Sequence, residues 1–218
     1  MKVIFGITLT ILLLSLISPI DATPNKLKPP KPDAFCKALG GRDSDGSQIK
    51  TGACSSLVQG QLPAIEHMTS SLILQPKNEQ VLNAGTNFKV AVKINHLNTG
   101  HFSNPDKEYY LLPQALDDGT IKGHAHIVVQ SLGSEDDAPD AREFSFFKGL
   151  NEAADKGVLS VVVDEKLSPG RYRICSMSSS ESHQPVIMPV AKRGSQDDCI
   201  RVTVKSSRNR KHSKAKRP

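Results

Sequence analysis

The sequence predicts an all-β sandwich, stapled by disulfides and carried between an extended N-terminal arm and a basic C-terminal tail. Three observations predict it. Six short runs rich in Val and Ile, most of them alternating in polarity, follow one another between Ser71 and Lys205. Turn signals built from Gly, Pro, Asn and Asp separate the runs, and four cysteines, an even count, all lie beyond an apolar leader. Short punctuated strands of this kind fold as two packed antiparallel sheets. With 218 residues and 38% hydrophobic content the chain can fill one core.

Residues 1–22 (MKVIFGITLTILLLSLISPIDA) have one Lys, an apolar run from Val3 to Ile17, then Pro19, Asp21 and the small Ala22. That is the pattern of a secretory signal peptide. A membrane anchor needs about 20 apolar residues and a basic flank, so no anchor is expected. Residues 23–34 include four prolines and three lysines within TPNKLKPPKP, which cannot pack and reads as a linker. Residues 35–61 hold Cys36 and Cys54 among Gly, Ser and Asp, the composition of an irregular loop stapled by a disulfide.

The strands are expected in residues 62–205, at Ser71–Gln75, Asn87–Leu97, Gly123–Ser131, Val158–Val163, Tyr172–Met177 and Ile200–Lys205. A short helix is expected over Leu150–Lys156. The string Leu167 to Cys175 (LSPGRYRIC) resembles the entry to strand F of immunoglobulin-like domains, where a tyrosine bonds back to the preceding turn. Tyr172 stands three residues before its cysteine, not two. The four cysteines allow three pairings, and separations of 18 and 24 residues favour Cys36 with Cys54 and Cys175 with Cys199, since local loops close most readily. Val158–Val163 is uncharged and β-branched and is followed at once by Asp164-Glu165-Lys166. Exposed, such a run is prone to self-association, and the charges act as gatekeepers.

The net charge of +6 is unevenly placed: residues 205–218 hold seven Lys and Arg and no acid, which leaves −1 for the rest. Lys205, Arg208, Arg210, Lys211, Lys214, Lys216 and Arg217 form two basic clusters. A nuclear import receptor's acidic groove, a phosphate backbone or an anionic surface would attract them, and a solvated tail would carry them equally well. No aromatic is interleaved, so there is no platform for base stacking and no sign of sequence-specific nucleic-acid reading.

Enzyme signatures are missing: the chain has no GxSxG elbow, no HExxH, no phosphate loop and no GxGxxG. All four cysteines can pair, which leaves no thiol nucleophile, and a non-enzymatic protein is expected. The best metal candidate is His124-Ala125-His126. A strand's two-residue period sets both imidazoles on one face while Ala125, Ile127 and Val129 face the other way. His101, His183 or an acid such as Asp106 would have to complete a site, and neutral imidazoles suit zinc or copper. The same pair also fits two histidines bonded to backbone. The dibasic Lys192-Arg193 is a processing-type sequence, and the chain has no N-glycosylation sequon.

Longer strings narrow the reading. Phe35-Cys36, Thr51-Gly52-Ala53-Cys54, Ile73 to Asn78 (ILQPKN), Phe102 to Pro105 (FSNP), Gly123 to His126 with Val129 to Leu132 (VQSL), Phe146 to Gly149 (FFKG), His183 to Val186 (HQPV), Met188 to Ala191 (MPVA) and Gln196 to Cys199 (QDDC) resemble a family of secreted fungal proteins often mislabelled as ribosomal. The chain is most similar to the rust transferred proteins, over about residues 35–204. That resemblance implies a virulence effector secreted by haustoria into the extrahaustorial matrix and passed on into the host plant cell's cytoplasm and nucleus, with host proteins as partners. It also implies kinship with cysteine-protease inhibitors, whose first loop Leu97-Asn98-Thr99-Gly100 resembles, and a tendency to form filaments. Residues 206–218, with Lys205, would then be a nuclear localisation signal.

Overall fold

The computed structural model describes residue 36 and residues 42–55, 57–134 and 136–206. The leader, the Pro/Lys arm and the tail cations from Arg208 onward lie outside the described residues. The described chain is an all-β sandwich of two sheets, as the sequence predicts. Its strands are β1 (Ser70–Gln75), β2 (Val81–Asn83), β3 (Phe88–Asn95), β4 (Leu97–Asn98), β5 (Leu116–Asp117), β6 (Thr120–Leu132), β7 (Phe146–Leu150), β8 (Val158–Val163), β9 (Gly170–Ser180) and β10 (Cys199–Lys205). The smaller sheet runs β1-β3-β8. The larger runs β2-β10-β9-β6-β4, with β5 and β7 also paired to β6.

All six predicted strands are present, and alternation decides which side chains they bury. From β6, Ala125, Ile127 and Val129 face the smaller sheet, and from β3, Val90, Val92 and Ile94 face back at them; all six are buried. Tyr172 and Ile174 of β9 and Val202 of β10 continue the same layer. Burying a side chain of this size stabilises the fold by roughly 1.5–3 kcal/mol. Further along β9 the inward positions change to Ser176, Ser178 and Ser180, all buried. Asp197 serves this polar end: its carboxylate accepts from the Ser178 backbone N–H and the Ser176 hydroxyl, while Asp198 accepts from the Ile73 N–H. The segment before β10 thus joins the two sheets, and burial raises Asp197's pKa above the usual aspartate value.

Both favoured disulfides form, Cys36–Cys54 and Cys175–Cys199. Cys175 and Cys199 face each other directly in the β9–β10 register. Tyr172 points into the core, and its hydroxyl donates to the Ser168 carbonyl at 3.0 Å, which is the tyrosine corner of immunoglobulin-like sandwiches. The spacing of three now has a reason. An odd interval puts Tyr172 and Cys175 on opposite faces of β9, so the cysteine bonds along the sheet instead of across the core.

The expected helix over Leu150–Lys156 is absent. Leu150 ends β7, and Asp155 and Val158 exchange two backbone hydrogen bonds across Lys156 (φ 48°) and Gly157 (φ 76°). Two central residues at positive φ make the tight turn whose twist suits a hairpin, and Gly157 would weaken any helix there. β7 was not expected either. Its sequence FFKGL lacks the Val and Ile that mark a strand, yet it pairs in register with β6 from Ala125–Leu150 to Val129–Phe146.

Candidate metal centre

The second face of β6 is also covered, by loops instead of a sheet. His124 and His126 project there, 0% and 8% exposed, opposite the apolar face as the two-residue period requires. Two segments close over them. In residues 99–115, the His101 N–H donates to the Gly123 carbonyl. Residues 181–187, which follow β9, are tied to that loop by Ser103 N–H to Glu181 O, Tyr110 N–H to Ser182 O, and the Ser182 hydroxyl to Leu112 O. Gln114, 1% exposed, donates to Gln61 O and Ile187 O and accepts from Ile187 N–H, which fixes the cover from below.

At the tip of the second segment, hydrogen bonds from Ser180 N–H to Gln184 O and from His183 N–H to Ser180 O close a turn that holds His183 at φ 70°. This turns the His183 ring back over β6. On the strand itself, Gly123 allows β9 to come close beside His124: a Cβ there would sit 1.9 Å from the Ser179 carbonyl oxygen.

His124, His126 and His183 thereby form a cluster in which one nitrogen of each ring lies within 4.8 Å of the others. His124 Nδ1 is 3.1 Å from the His101 carbonyl and its Nε2 is 3.1 Å from His183 Nδ1. His183 Nε2 is 2.9 Å from the Ser103 carbonyl. His126 Nδ1 is buried and has no hydrogen-bond partner. Burial, with the neighbouring His126 and His183 charges, lowers the His124 pKa to about 3. Burial and His183 lower that of His126 to about 4, partly offset by the Met177 backbone. Both are therefore neutral in any ordinary medium, which is the form that binds metal. The walls are aromatic: Phe102 meets His124 edge-on, Phe147 lies over His126, and Tyr109 stacks near His183. Phe102 and Phe147 are each about half exposed, so the cluster lies just below the surface.

The structure sorts the sequence candidates. His124 and His126 share one face, and His183 joins them. His101 contributes a backbone carbonyl, and its ring is not in the cluster. Asp106 is elsewhere, its N–H bonded to Asn104. Lys205 ends β10 and accepts at its carbonyl from Ala84 N–H, so it belongs to the sandwich. The Leu97–Gly100 string is part of the fold as well: Leu97 and Thr99 are buried, and Leu97–Asn98 pairs with β6. The carbonyls of His101 and Ser103 carry no sequence signal, because any residue supplies one.

Residues 71–205 match the family model described as the CLU5d N-terminal domain. The chain belongs to that family. The matched span contains both sheets and all three clustered histidines, and Cys36–Cys54 lies before it. Over 175 residues the CLU5d-family chain is 41% identical to pathogenicity cluster 5 protein d of Colletotrichum graminicola, an alignment covering 78% of this chain and 36% of that protein. The chain thus spans about a third of that relative's length. The family shown is a fungal pathogenicity-cluster family, a broader statement than the resemblance to rust transferred proteins. Among solved structures, the fibronectin(III)-like modules of Clostridium thermocellum CbhA align at TM-score 0.36 and 11% identity, over 72% of this chain and 53% of theirs. A β-glucosidase of Listeria innocua aligns at TM-score 0.26 and 15% identity, over 62% and 16%. Both likenesses are too slight to bear on function.

Proposed function

We propose that this protein is a secreted, virulence-associated fungal effector, passed from haustoria into host plant cells. Its sandwich is a non-enzymatic binding or self-assembling module, and its basic tail steers it to the host nucleus. The observation that carries this reading is a pathogenicity-cluster family domain with one disulfide inside it and a second just before it. Cystines of this kind persist in oxidising compartments and are rare in the cytosol, which agrees with the leader in residues 1–22. The resemblance to rust transferred proteins supports delivery into the plant. Two basic clusters in the last fourteen residues suit an import receptor's acidic groove. The decisive experiment expresses the full chain with a C-terminal fluorescent tag in the fungus during infection, beside a version with Arg208, Arg210, Lys211, Lys214, Lys216 and Arg217 changed to Gln. Host nuclear fluorescence that the neutral tail abolishes is expected. Fluorescence confined to fungal cells would overturn delivery, and equal nuclear signal from both would overturn the role of the tail.

One observation favours a filament-forming reading of the same module. β8, the uncharged Val158–Val163 run, lies at the end of the three-stranded sheet, with Val162 about half exposed. An end strand is a template for a further strand. Growth of light scattering and thioflavin fluorescence on incubation, suppressed by Val162→Lys, is expected; a persistent monomer would exclude it.

A further inference from the structure

We infer that His124, His126 and His183 form a binding site for one late first-row transition ion, zinc or copper, which clasps the turn after β9 onto strand β6. The inference is independent of delivery and of the tail.

A proton count supports it. Three contacts surround His124 and His183: ring nitrogen to His101 O, ring nitrogen to ring nitrogen, and ring nitrogen to Ser103 O, at 3.1, 3.1 and 2.9 Å. Each needs one hydrogen, because a carbonyl only accepts. Two neutral imidazoles bring two N–H groups between them. With those donated to the two carbonyls, His124 Nε2 and His183 Nδ1 aim their lone pairs at each other. Any other tautomer only moves the conflict, setting a bare nitrogen against a carbonyl. The pair is one positive charge short.

An additional proton would mend that contact and leave His126 Nδ1 buried and unpartnered, at the cost of a charge enclosed by Phe102, Phe147 and Tyr109. A metal ion takes one nitrogen from each of the three rings at once. Zinc–nitrogen bonds of about 2.0–2.1 Å in a tetrahedron put ligand nitrogens about 3.3 Å apart, close to the 3.1 Å between His124 Nε2 and His183 Nδ1. The carbonyls of His101 and Ser103 play the part that outer-shell acceptors play in metalloproteins, where they hold the far N–H and orient the ring. An all-nitrogen set rejects calcium and magnesium, which take oxygen ligands, and suits zinc and copper. Three protein ligands leave one coordination position for water or a small donor.

The test uses the full secreted chain with both disulfides intact, stripped by chelator and titrated separately with zinc(II) and copper(II) in a calorimeter, with melting followed in parallel. One equivalent of one or both ions is expected, and a Tm rise of about 5 °C or more at a hundredfold excess over Kd. His126→Gln and His183→Ala should each weaken binding about a hundredfold while melting cooperatively without metal. His183→Ala lies in a partly exposed turn, so it keeps the test open where a substitution at buried His124 would unfold the chain. His96→Asn, a histidine outside the cluster, should bind like the parent. Absence of uptake of both ions, or uptake unchanged in both His126→Gln and His183→Ala, would overturn the site.

Discussion

Strand β6 is buried on both faces, by different means. Towards the smaller sheet it presents Ala125, Ile127 and Val129, each 0% exposed and surrounded by Val90, Val92 and Ile174. On the reverse it presents His124, His126 and Gln130, at most 8% exposed, under loops that answer His124 and Gln130 with carbonyls and side chains and leave His126 Nδ1 without a partner. Burial on the apolar face is non-directional and tolerant of which residue does it. Burial on the polar face requires a partner for every donor and acceptor. The first face makes the fold, and the second can make a site.

Acid should separate the two faces most strongly. His124 and His126 hold their pKa values near 3 and 4 in the folded protein, against about 6.5 in an unfolded chain. Above pH 6.5 both states are neutral and these residues leave stability unchanged. As pH falls below 6.5 the unfolded chain gains protons that the folded one refuses, so stability drops until the folded values are reached. Metal-free protein should lose on the order of 6 kcal/mol between pH 7 and pH 4 in urea titrations, about half from each histidine, and the variant His126→Gln should show a flatter profile. Equal slopes for the two proteins would mean that water reaches His126 in the folded state. On the inner face Ile127→Ala removes buried methyl groups against a sheet that cannot collapse onto the gap. About 3 kcal/mol should be lost, equally at pH 7 and pH 4.

What could be read from sequence divides along the same line. The apolar face and the side on which His124 and His126 project follow from alternation, so the six main strands and the HxH placement were legible. So were both disulfides, because short separations decide them, and the tyrosine corner, because Tyr172 sits in a Ser-Pro-Gly-Arg-Tyr string. β7 was not legible. Phe146-Phe147-Lys148-Gly149-Leu150 becomes a strand because β6 offers it an unpaired edge, which is information from outside the segment. His183 was one of three candidates for completing the cluster, and only the turn at Ser180–Gln184 selects it over His101 and Asp106. The helix expected at Leu150–Lys156 failed for the same reason: pairing between Asp155 and Val158 outweighs the propensity of Glu and Ala.

Gln130 probes the polar face away from the histidines. Its amide donates to Asp140 O and Glu143 O, and its oxygen accepts from Arg173. Gln130→Leu keeps the volume and strands two carbonyls and a guanidinium, so a loss of about 2 kcal/mol is expected, with faster amide exchange in residues 138–145. A change below about 0.5 kcal/mol would show that water replaces the side chain and that this end of the face is not dry.

The smallest effect should come from the rim. Lys122 shares the outer face with His124, and its ammonium lies 3.6 Å from Glu181, two residues before His183. Both side chains are about one third exposed, so water and salt screen the pair, and Lys122→Met should cost less than about 1 kcal/mol in global stability. Its consequence for the cluster is separate. Glu181 also accepts from Ser103 N–H through its backbone, so the ion pair and the covering loop hold the same turn. Loosening it should lower zinc or copper affinity a few-fold while leaving the urea midpoint almost unmoved, and 0.5 M salt should reduce the parent to the same affinity. A variant that loses stability and leaves affinity intact would reverse the assignment, making Lys122 a prop of the sandwich instead of the turn that brings His183 to the strand.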